Sequence, residues 1–353
     1  GGSEPVDAGC DQGPTLPLDR PGDPERDLPL FQAHVGACVA AWRRQGVPLE
    51  ALTTEENADD VEALRVALGA RRLTLLGGSY GSHLAFAVVR RHPASVARIA
   101  LFGIEGPDHT VKRPALVDDI LDRLAHVIAA DSFYGRALPD PVSSIRTLAR
   151  RLADHPVAVR LGDHTVVVGT WDLRKRVADA LGRNGPMRQL PAAIAAMERD
   201  DFTDLARWAE SWRGGTRWSA MGLAMDCASW ASPDRLKLIR REARDALVGA
   251  SVDYPFPAIC EGLPLPRLGE AFRAPLRSTI PALFVTGDLD ARTPPANADE
   301  MVRGFPSAHR LLVTHGGHGI MGYAAVNPVM LAFLRGEGGL PDRVALPSPA
   351  FAR

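Results

Sequence analysis

The sequence lacks several features that would send it to a specialised class. No charge of one sign predominates: 41 Lys and Arg face 42 Asp and Glu, for a formal charge of −1. Proteins that grip a phosphate backbone carry a basic surplus, so nucleic-acid binding is set aside. No apolar run approaches the roughly 18 residues of a spanning helix, which argues against a membrane span. Cysteine is scarce, with Cys10, Cys38, Cys227 and Cys260 alone and no C-x-x-C pair. That spacing offers no zinc ligand set, and no metal is expected. One pair early and one late suit two local disulfides, each removing roughly 3–4 kcal/mol of unfolded-chain entropy in loop-closure terms; four buried thiols are the alternative. Disulfides favour a secreted or periplasmic protein, free thiols a cytoplasmic one. An initiator methionine is also missing, because the chain opens Gly1-Gly2-Ser3, so a leader cannot be sought in it.

What is present is ordinary globular usage: 353 residues, 46% hydrophobic and 24% charged. That is enough for one large domain, or a core carrying an insertion. Residues 1–30 are rich in Pro, Gly and Asp without periodicity and are expected to be irregular. A helix follows from Phe31 to Arg44, stopped by Gly46-Val47-Pro48. Thr53-Thr54 before Glu55 and Glu56 signal another to about Leu68, with Val61, Leu64, Val66 and Leu68 as apolar positions. Arg72 to Leu76 has a buried-strand signature and runs straight into Gly77-Gly78-Ser79-Tyr80-Gly81 and an apolar helix, Leu84 to Arg91. A strand from Arg98 to Phe102 ends at Gly103.

From about Lys112 to Ala274 helical patterns dominate, over 115–130, 143–154, 172–182, 188–198, 201–212, 219–230 and 234–248. A hairpin signal at 157–168, turning on Gly162-Asp163, breaks the series. Strand–turn–helix texture returns with Pro281 to Thr286, a helix from about Pro295, a strand near Arg310 to Val313 and a helix from Ile320 to Leu334. Residues 336–353 read as a loose tail. The fold class is therefore α/β, a mostly parallel sheet flanked by helices. Its core lies in two parts, 1–111 and 275–353, with a helical cap or lid at 112–274 inserted between them.

G-x-S-x-G occurs once, at Gly77, Ser79 and Gly81. The string alone is weak, but its place where a strand becomes a helix is the nucleophile-elbow context. Small residues two positions either side let the backbone fold tightly around the serine. Its hydroxyl then stands at a helix N-terminus, which favours developing negative charge. A glycine-rich turn with no chemistry is the plain alternative. A neutral serine needs a base, and the base an orienting carboxylate. In elbow-bearing sheets these follow in the order serine, acid, histidine, each after a strand. Here one strand leads into Gly287-Asp288-Leu289-Asp290 and the next into His315-Gly316-Gly317-His318. Asp288 or Asp290, and His315 or His318, stay open on position alone.

These segments resemble the proline iminopeptidase and tripeptidyl aminopeptidase (TAP-like) group of α/β hydrolases. Thr53-Thr54-Glu55 through Asp59-Asp60, with Leu64-Arg65 and Leu68-Gly69, is similar to that family's segment before the elbow, and Gly77 to Gly81 to the elbow itself. Gly287, Asp290, Thr293 and Pro294 resemble its G-x-x-D-x-x-T-P acid loop, and Gly317-His318-Gly319 its histidine loop. The likeness covers about 1–110 and 275–335 and matches the insertion only by position and helical character. It implies the α/β-hydrolase fold and a Ser79, His318, Asp290 triad carrying out acyl transfer without metal or organic cofactor. The backbone N–H of Tyr80 would be one oxyanion donor. Secreted members place cysteines like Cys10 with Cys38 and Cys227 with Cys260, which implies those disulfides and export.

The resemblance also shows a departure. Family members carry the first strands and an H-G-G-P-G-like oxyanion loop before this region, then a D-x-R-G-x-G-x-S turn. Gly1-Gly2-Ser3 with Pro5 and Cys10 resembles the tail of that turn. The expectation is that an N-terminal segment or a second chain completes the sheet and supplies the other oxyanion donor; without it a sheet edge is exposed.

Aminopeptidases of this group pair the substrate's α-ammonium with carboxylates. Glu105, just past the strand ending at Gly103, is the first candidate; Asp226 and Glu261, beside the insertion's cysteines, follow. Five of the six tryptophans, Trp171, Trp208, Trp212, Trp218 and Trp230, lie in the insertion. They either wall a pocket for proline or another apolar acyl group or form the insertion's own core. The reading is an aminopeptidase acting on small peptides. An esterase or amidase on small acyl substrates, and an inactive hydrolase-like fragment, are the alternatives.

Overall fold

The computed structural model describes residues 10, 13–215 and 218–353. In chain order the strands are β1 (Leu73–Ser79), β2 (Val96–Ile104), β3 (Val157–Leu161), β4 (His164–Val168), β5 (Ala282–Gly287), β6 (Ala308–Thr314) and β7 (Arg343–Ala345). β3 and β4 form a separate antiparallel hairpin; the other five make one sheet in the order β1-β2-β5-β6-β7. All its pairings are parallel. Their C-terminal ends therefore share one rim, where open parallel sheets bind ligands. β5, between β2 and β6, is buried at every residue, so its sequence is a run and not an alternation.

Helix Tyr80–Arg91 covers one face, and its Phe86 meets Phe284 and Phe305 at ring distances of 5.8 and 5.7 Å. Fully burying such a ring contributes roughly 2–3 kcal/mol. Helix Asn327–Arg335 covers the opposite face, where Phe333 and Val329 pack with Leu311, Val313 and Ile320.

Between β2 and β5 the chain forms helices Pro114–Ala129, Pro141–Asp154, Thr170–Leu181, Asn184–Glu198, Thr203–Arg213, Ala220–Ser229 and Pro233–Asp245. Most begin or end within a few residues of the sequence signals, because their caps are explicit: Asp140, Ser219 and Ser232 each accept a backbone N–H of the first turn. A buried ion pair ties this region to the N-terminal segment. Arg213 and Asp172 are 1% exposed and bonded to each other. Arg213 also donates to the carbonyls of Arg20 (2.9 Å) and Val167 (3.1 Å), while Asp172 accepts from Gly22 and Gly169.

Several expectations need correction. The stretch up to residue 30 is not irregular throughout, because a helix spans Pro24–Arg44. Asp23 caps it through Glu25 and Arg26, and Pro24 takes the first turn, where a missing N–H costs nothing. In helix Thr54–Ala67 the apolar Leu64 and Val66, and Leu68 just after them, are exposed, as is Leu76 of β1. β1 is an edge strand, and among the described residues nothing pairs with its outer side. The last long helix starts at Asn327, not Ile320; Ile320 instead sits fully buried in the preceding loop. The tail is not loose either. β7 pairs with β6, Phe351 is buried in the insertion's apolar core, and Ala352 bonds with Arg188 and Tyr134.

Both disulfides are present, Cys10–Cys38 and Cys227–Cys260, each with Cα atoms 5.6 Å apart. The Gly1-Gly2-Ser3 and Pro5 turn lies outside the described residues. Among those described, no helix is long and apolar enough to cross a membrane.

Candidate active site

Ser79 ends β1 and precedes the first residue of helix Tyr80–Arg91. Its φ of +55° is a strained value for a residue with a side chain, of order 1–3 kcal/mol. Glycines make the turn feasible: a Cβ on Gly77 would stand 2.5 Å from the Gly81 carbonyl oxygen. Ser82 locks the turn, donating to the Ser79 carbonyl (2.6 Å) and accepting from the Glu105 N–H (2.8 Å). Helix-start N–H groups such as that of Tyr80 have no partner within their own helix.

Asp290 lies beyond β5 and is fully buried. One carboxylate oxygen accepts from the N–H groups of Arg292 (2.9 Å) and Thr293 (3.0 Å); the other accepts from the Thr293 hydroxyl (2.7 Å). His318, beyond β6, sets Nδ1 at 3.1 and 3.0 Å from the two oxygens. In the neutral ring this places the proton on Nδ1 and leaves the Nε2 lone pair free, an arrangement chemically able to accept a proton. Asp288 and His315 are not part of this contact and are placed differently. The Asp288 carboxyl is raised by burial, and His315 Nδ1 donates to the Leu346 carbonyl at 3.0 Å. Ser79 makes no hydrogen bond to His318, yet both border the end of β2. Ile104 is the register partner of Ser79, and a Cβ on Gly103 would stand 3.2 Å from His318 Cε1.

Ser79 and Tyr80 line a cavity of about 650 Å³ between the rim and the inserted helices, within the range of small-ligand sites. Trp212, Trp218 and Phe256 give it an apolar wall, so two of the tryptophans face the cavity while also packing beside Phe31. Glu105 lines it but is buried and ion-paired with Lys112 at 3.2 Å. Burial is the largest single influence and works to raise that carboxyl, but the Lys112 charge and hydrogen bond, together with other nearby cationic groups such as Arg292, hold it below its ordinary range. Asp253 accepts from the Lys112 N–H at 2.5 Å and is raised, chiefly by burial.

Asp226 differs, because its carboxylate has no hydrogen-bond or ion-pair partner among the described residues. It is open to cavity water while surrounded by protein, and desolvation, helped by repulsion from Glu105, pushes it up to about 7. The structure does not bring Glu261 to the cavity; it is an exposed residue after a short turn of helix. Lys112 and Asp253 were not flagged by the sequence. The Tyr254-Pro255 and Phe256-Pro257 steps announce a tight turn, but nothing local says what it faces. Among the described residues no cluster of His, Cys, Asp or Glu could hold a metal ion.

The family described as alpha/beta hydrolase fold matches residues 40–324. Over 52 residues the chain is 46% identical to a proline iminopeptidase of Xylella fastidiosa strain Temecula1, 15% of this chain and 17% of the relative; that of strain 9a5c matches alike. The match thus spans about a sixth of these curated relatives. Among solved structures, a thermophilic esterase from Thermogutta terrifontis is 16% identical with a TM-score of 0.33, covering 80% of this chain and 72% of its own. An epoxide hydrolase from Bacillus megaterium is 17% identical with a TM-score of 0.35, covering 81% and 78%.

Proposed function

We propose a function from one premise: the chain belongs to the alpha/beta hydrolase fold family. On this reading it is a serine hydrolase that transfers an acyl group to water, acting as an aminopeptidase on short peptides. Ser79 attacks the scissile carbonyl carbon while His318 Nε2 takes its proton. The imidazolium, steadied by Asp290, then gives that proton to the leaving amine. Water attacks the acyl-enzyme by the same relay in reverse roles. The Tyr80 N–H meets the oxyanion at a helix start. The observation that carries the reading is the fully buried Asp290 holding His318 Nδ1 at 3.0 Å on the rim where Ser79 ends its strand in a strained turn. Ser79→Ala tests it. Loss of hydrolysis and of fluorophosphonate labelling is expected, and retained turnover would end the assignment.

The substrate class rests on Asp226, an unpartnered carboxylate at a cavity that also holds Glu105 and Asp253. A substrate α-ammonium supplies the missing counter-charge, while the aromatic wall takes the first side chain. The short likeness to proline iminopeptidases supports this. That same wall would serve a neutral acyl group, so an esterase is the second reading. Proline or tripeptide anilides with a free amine, set against their N-acetyl forms and p-nitrophenyl esters, separate the two. Preference for the free amine supports the aminopeptidase; indifference to acetylation supports the esterase.

Three further elements belong to this proposal. The helical region between β2 and β5 acts as the cap that roofs the site. The two disulfides support folding in an oxidising compartment. The side of β1 that no described residue pairs with, together with the exposed Leu64, Val66, Leu68 and Leu76, supports pairing with a further strand that also brings the second oxyanion donor. Amide exchange checks this last point. The outward-facing amides of β1 should exchange fast in the isolated chain and be protected in the active enzyme; fast exchange in both would remove the idea.

A further inference from the structure

Beneath the cavity lies a line of buried polar side chains that the hydrolytic steps do not use. His83, in the elbow helix, is 1% exposed, and burial lowers its pKa, so the ring is neutral. Its Nδ1 faces the Gly106 carbonyl at 3.0 Å, and a carbonyl only accepts, which fixes the proton on Nδ1. Nε2 must then accept, and it takes the Ser229 hydroxyl at 3.1 Å. With its proton committed, Ser229 accepts from Thr54 Oγ1 at 3.1 Å. Thr54 in turn accepts from the Tyr80 phenol at 3.2 Å, and Asn57 donates to that phenol at 3.2 Å. Each donor is satisfied once and every direction is fixed. Gly106 is gripped from a second side, its N–H donating to His109 Nδ1 at 2.9 Å.

The ends of this line are informative. Gly106 follows Glu105, and Ser229 lies one turn after Asp226 on helix Ala220–Ser229, so the chain joins the two elements that present the cavity's acids. We infer that the His83–Ser229–Thr54 line is a bracket that fixes the helix bearing Asp226 against the strand end bearing Glu105, and that these residues position the ammonium-binding acids and so set specificity. The inference rests on the aminopeptidase reading for its effect on substrates, though not for its effect on structure. His83, Ser229 and Thr54 are positioning residues: they are buried, and none of them lines the cavity.

Two small deletions test it, Ser229→Ala and Thr54→Val, neither of which opens a large void. Each removes the two hydrogen bonds that its hydroxyl makes in a line that works as a unit, so KM for a free-amine anilide should rise about tenfold. Its kcat, and kcat/KM for a neutral p-nitrophenyl ester, should stay within about twofold. Thr54→Ser keeps the hydroxyl and should restore the wild-type KM. Equal losses on both substrates, or no rescue by Thr54→Ser, overturn the bracket's role in specificity. Hydrogen exchange in helix Ala220–Ser229 gives a readout independent of substrate. Its amides should exchange about tenfold faster in Ser229→Ala than in the wild type, with the other inserted helices unchanged. Unchanged exchange overturns the bracket itself. A wild-type enzyme indifferent to the free amine, with exchange accelerated as expected, removes the aminopeptidase reading and leaves the bracket standing.

Discussion

Gly103→Ala puts the proposed catalytic geometry under direct strain. Gly103 sits near the end of β2 with φ of +53°, a conformation that disfavours any side chain. A methyl there would stand 2.8 Å from Thr293 Oγ1, 3.2 Å from His318 Cε1 and 3.4 Å from His318 Nδ1. Left-handed backbone costs an alanine about 1–2 kcal/mol. The clash adds to this, because Thr293 Oγ1 is held at 2.7 Å by the Asp290 carboxylate and cannot retreat without weakening that bond. A hydrogen bond to a charged group is worth about 1.5–3 kcal/mol, so the variant should lose about 2–4 kcal/mol in all. With an unfolding entropy of about 2 cal/mol/K per residue, that lowers Tm by about 3–5 °C for a chain of 353 residues. Displacing the imidazole by a few tenths of an ångström should also lower kcat by about fivefold to tenfold. Calorimetry and steady-state hydrolysis of a p-nitrophenyl ester read the two effects. A Tm within about 1 °C of wild type together with kcat within about twofold would refute the reasoning that His318 and Thr293 crowd Gly103.

Other perturbations follow from the same geometry. Asp172→Ala strands the buried Arg213 guanidinium and should destabilise the chain by about 3–5 kcal/mol, measured by urea unfolding. Opening Cys227–Cys260, which closes a loop with a sequence separation of 33, by a double change to serine should cost about 3–4 kcal/mol by the same measurement. Asp226 has a folded pKa raised from 3.8 to about 7, so the folded state binds more protons between those values and stability falls as pH rises through that window. Asp226→Asn should therefore raise Tm at pH values above that window and leave it unchanged below. The wild-type KM for a free-amine substrate should drop as pH rises through about 7, when the carboxylate ionises, and this dependence should vanish in Asp226→Asn.

Local signals served well where chemistry and backbone demand coincide. Gly77 announced a tight turn because no side chain fits where it meets the Gly81 carbonyl, and the strand-to-helix change around Ser79 could be read from composition. Asp290 and His318 were left level with Asp288 and His315 by position alone. Which carboxylate the Thr293 and Arg292 N–H groups surround is a fact of loop folding that position cannot give, and the resemblance favours Asp290 and His318 through spacing. Glu261 was misplaced because closeness to Cys260 in sequence says nothing of cavity walls, whereas Asp253 was missed because its role arises from Lys112, distant along the chain. The start of helix Pro24–Arg44 hid in a Pro-rich stretch, since Pro24 and Asp23 serve as start signals there and not as breakers. Helix Thr54–Ala67 carries the opposite lesson: Leu64, Val66 and Leu68 looked like core, and periodicity cannot say which face has a neighbour.

The path of the chain after β7 has a practical consequence. Phe351 is buried among the inserted helices, and the Tyr134 hydroxyl donates to the carbonyl of Ala352, so the final residues work as a strap from the sheet's far edge to the roof of the cavity. A purification tag fused after Arg353 hangs from the roof. Trimming the chain back to residue 346 should slacken that roof while leaving the β6–β7 pairing untouched.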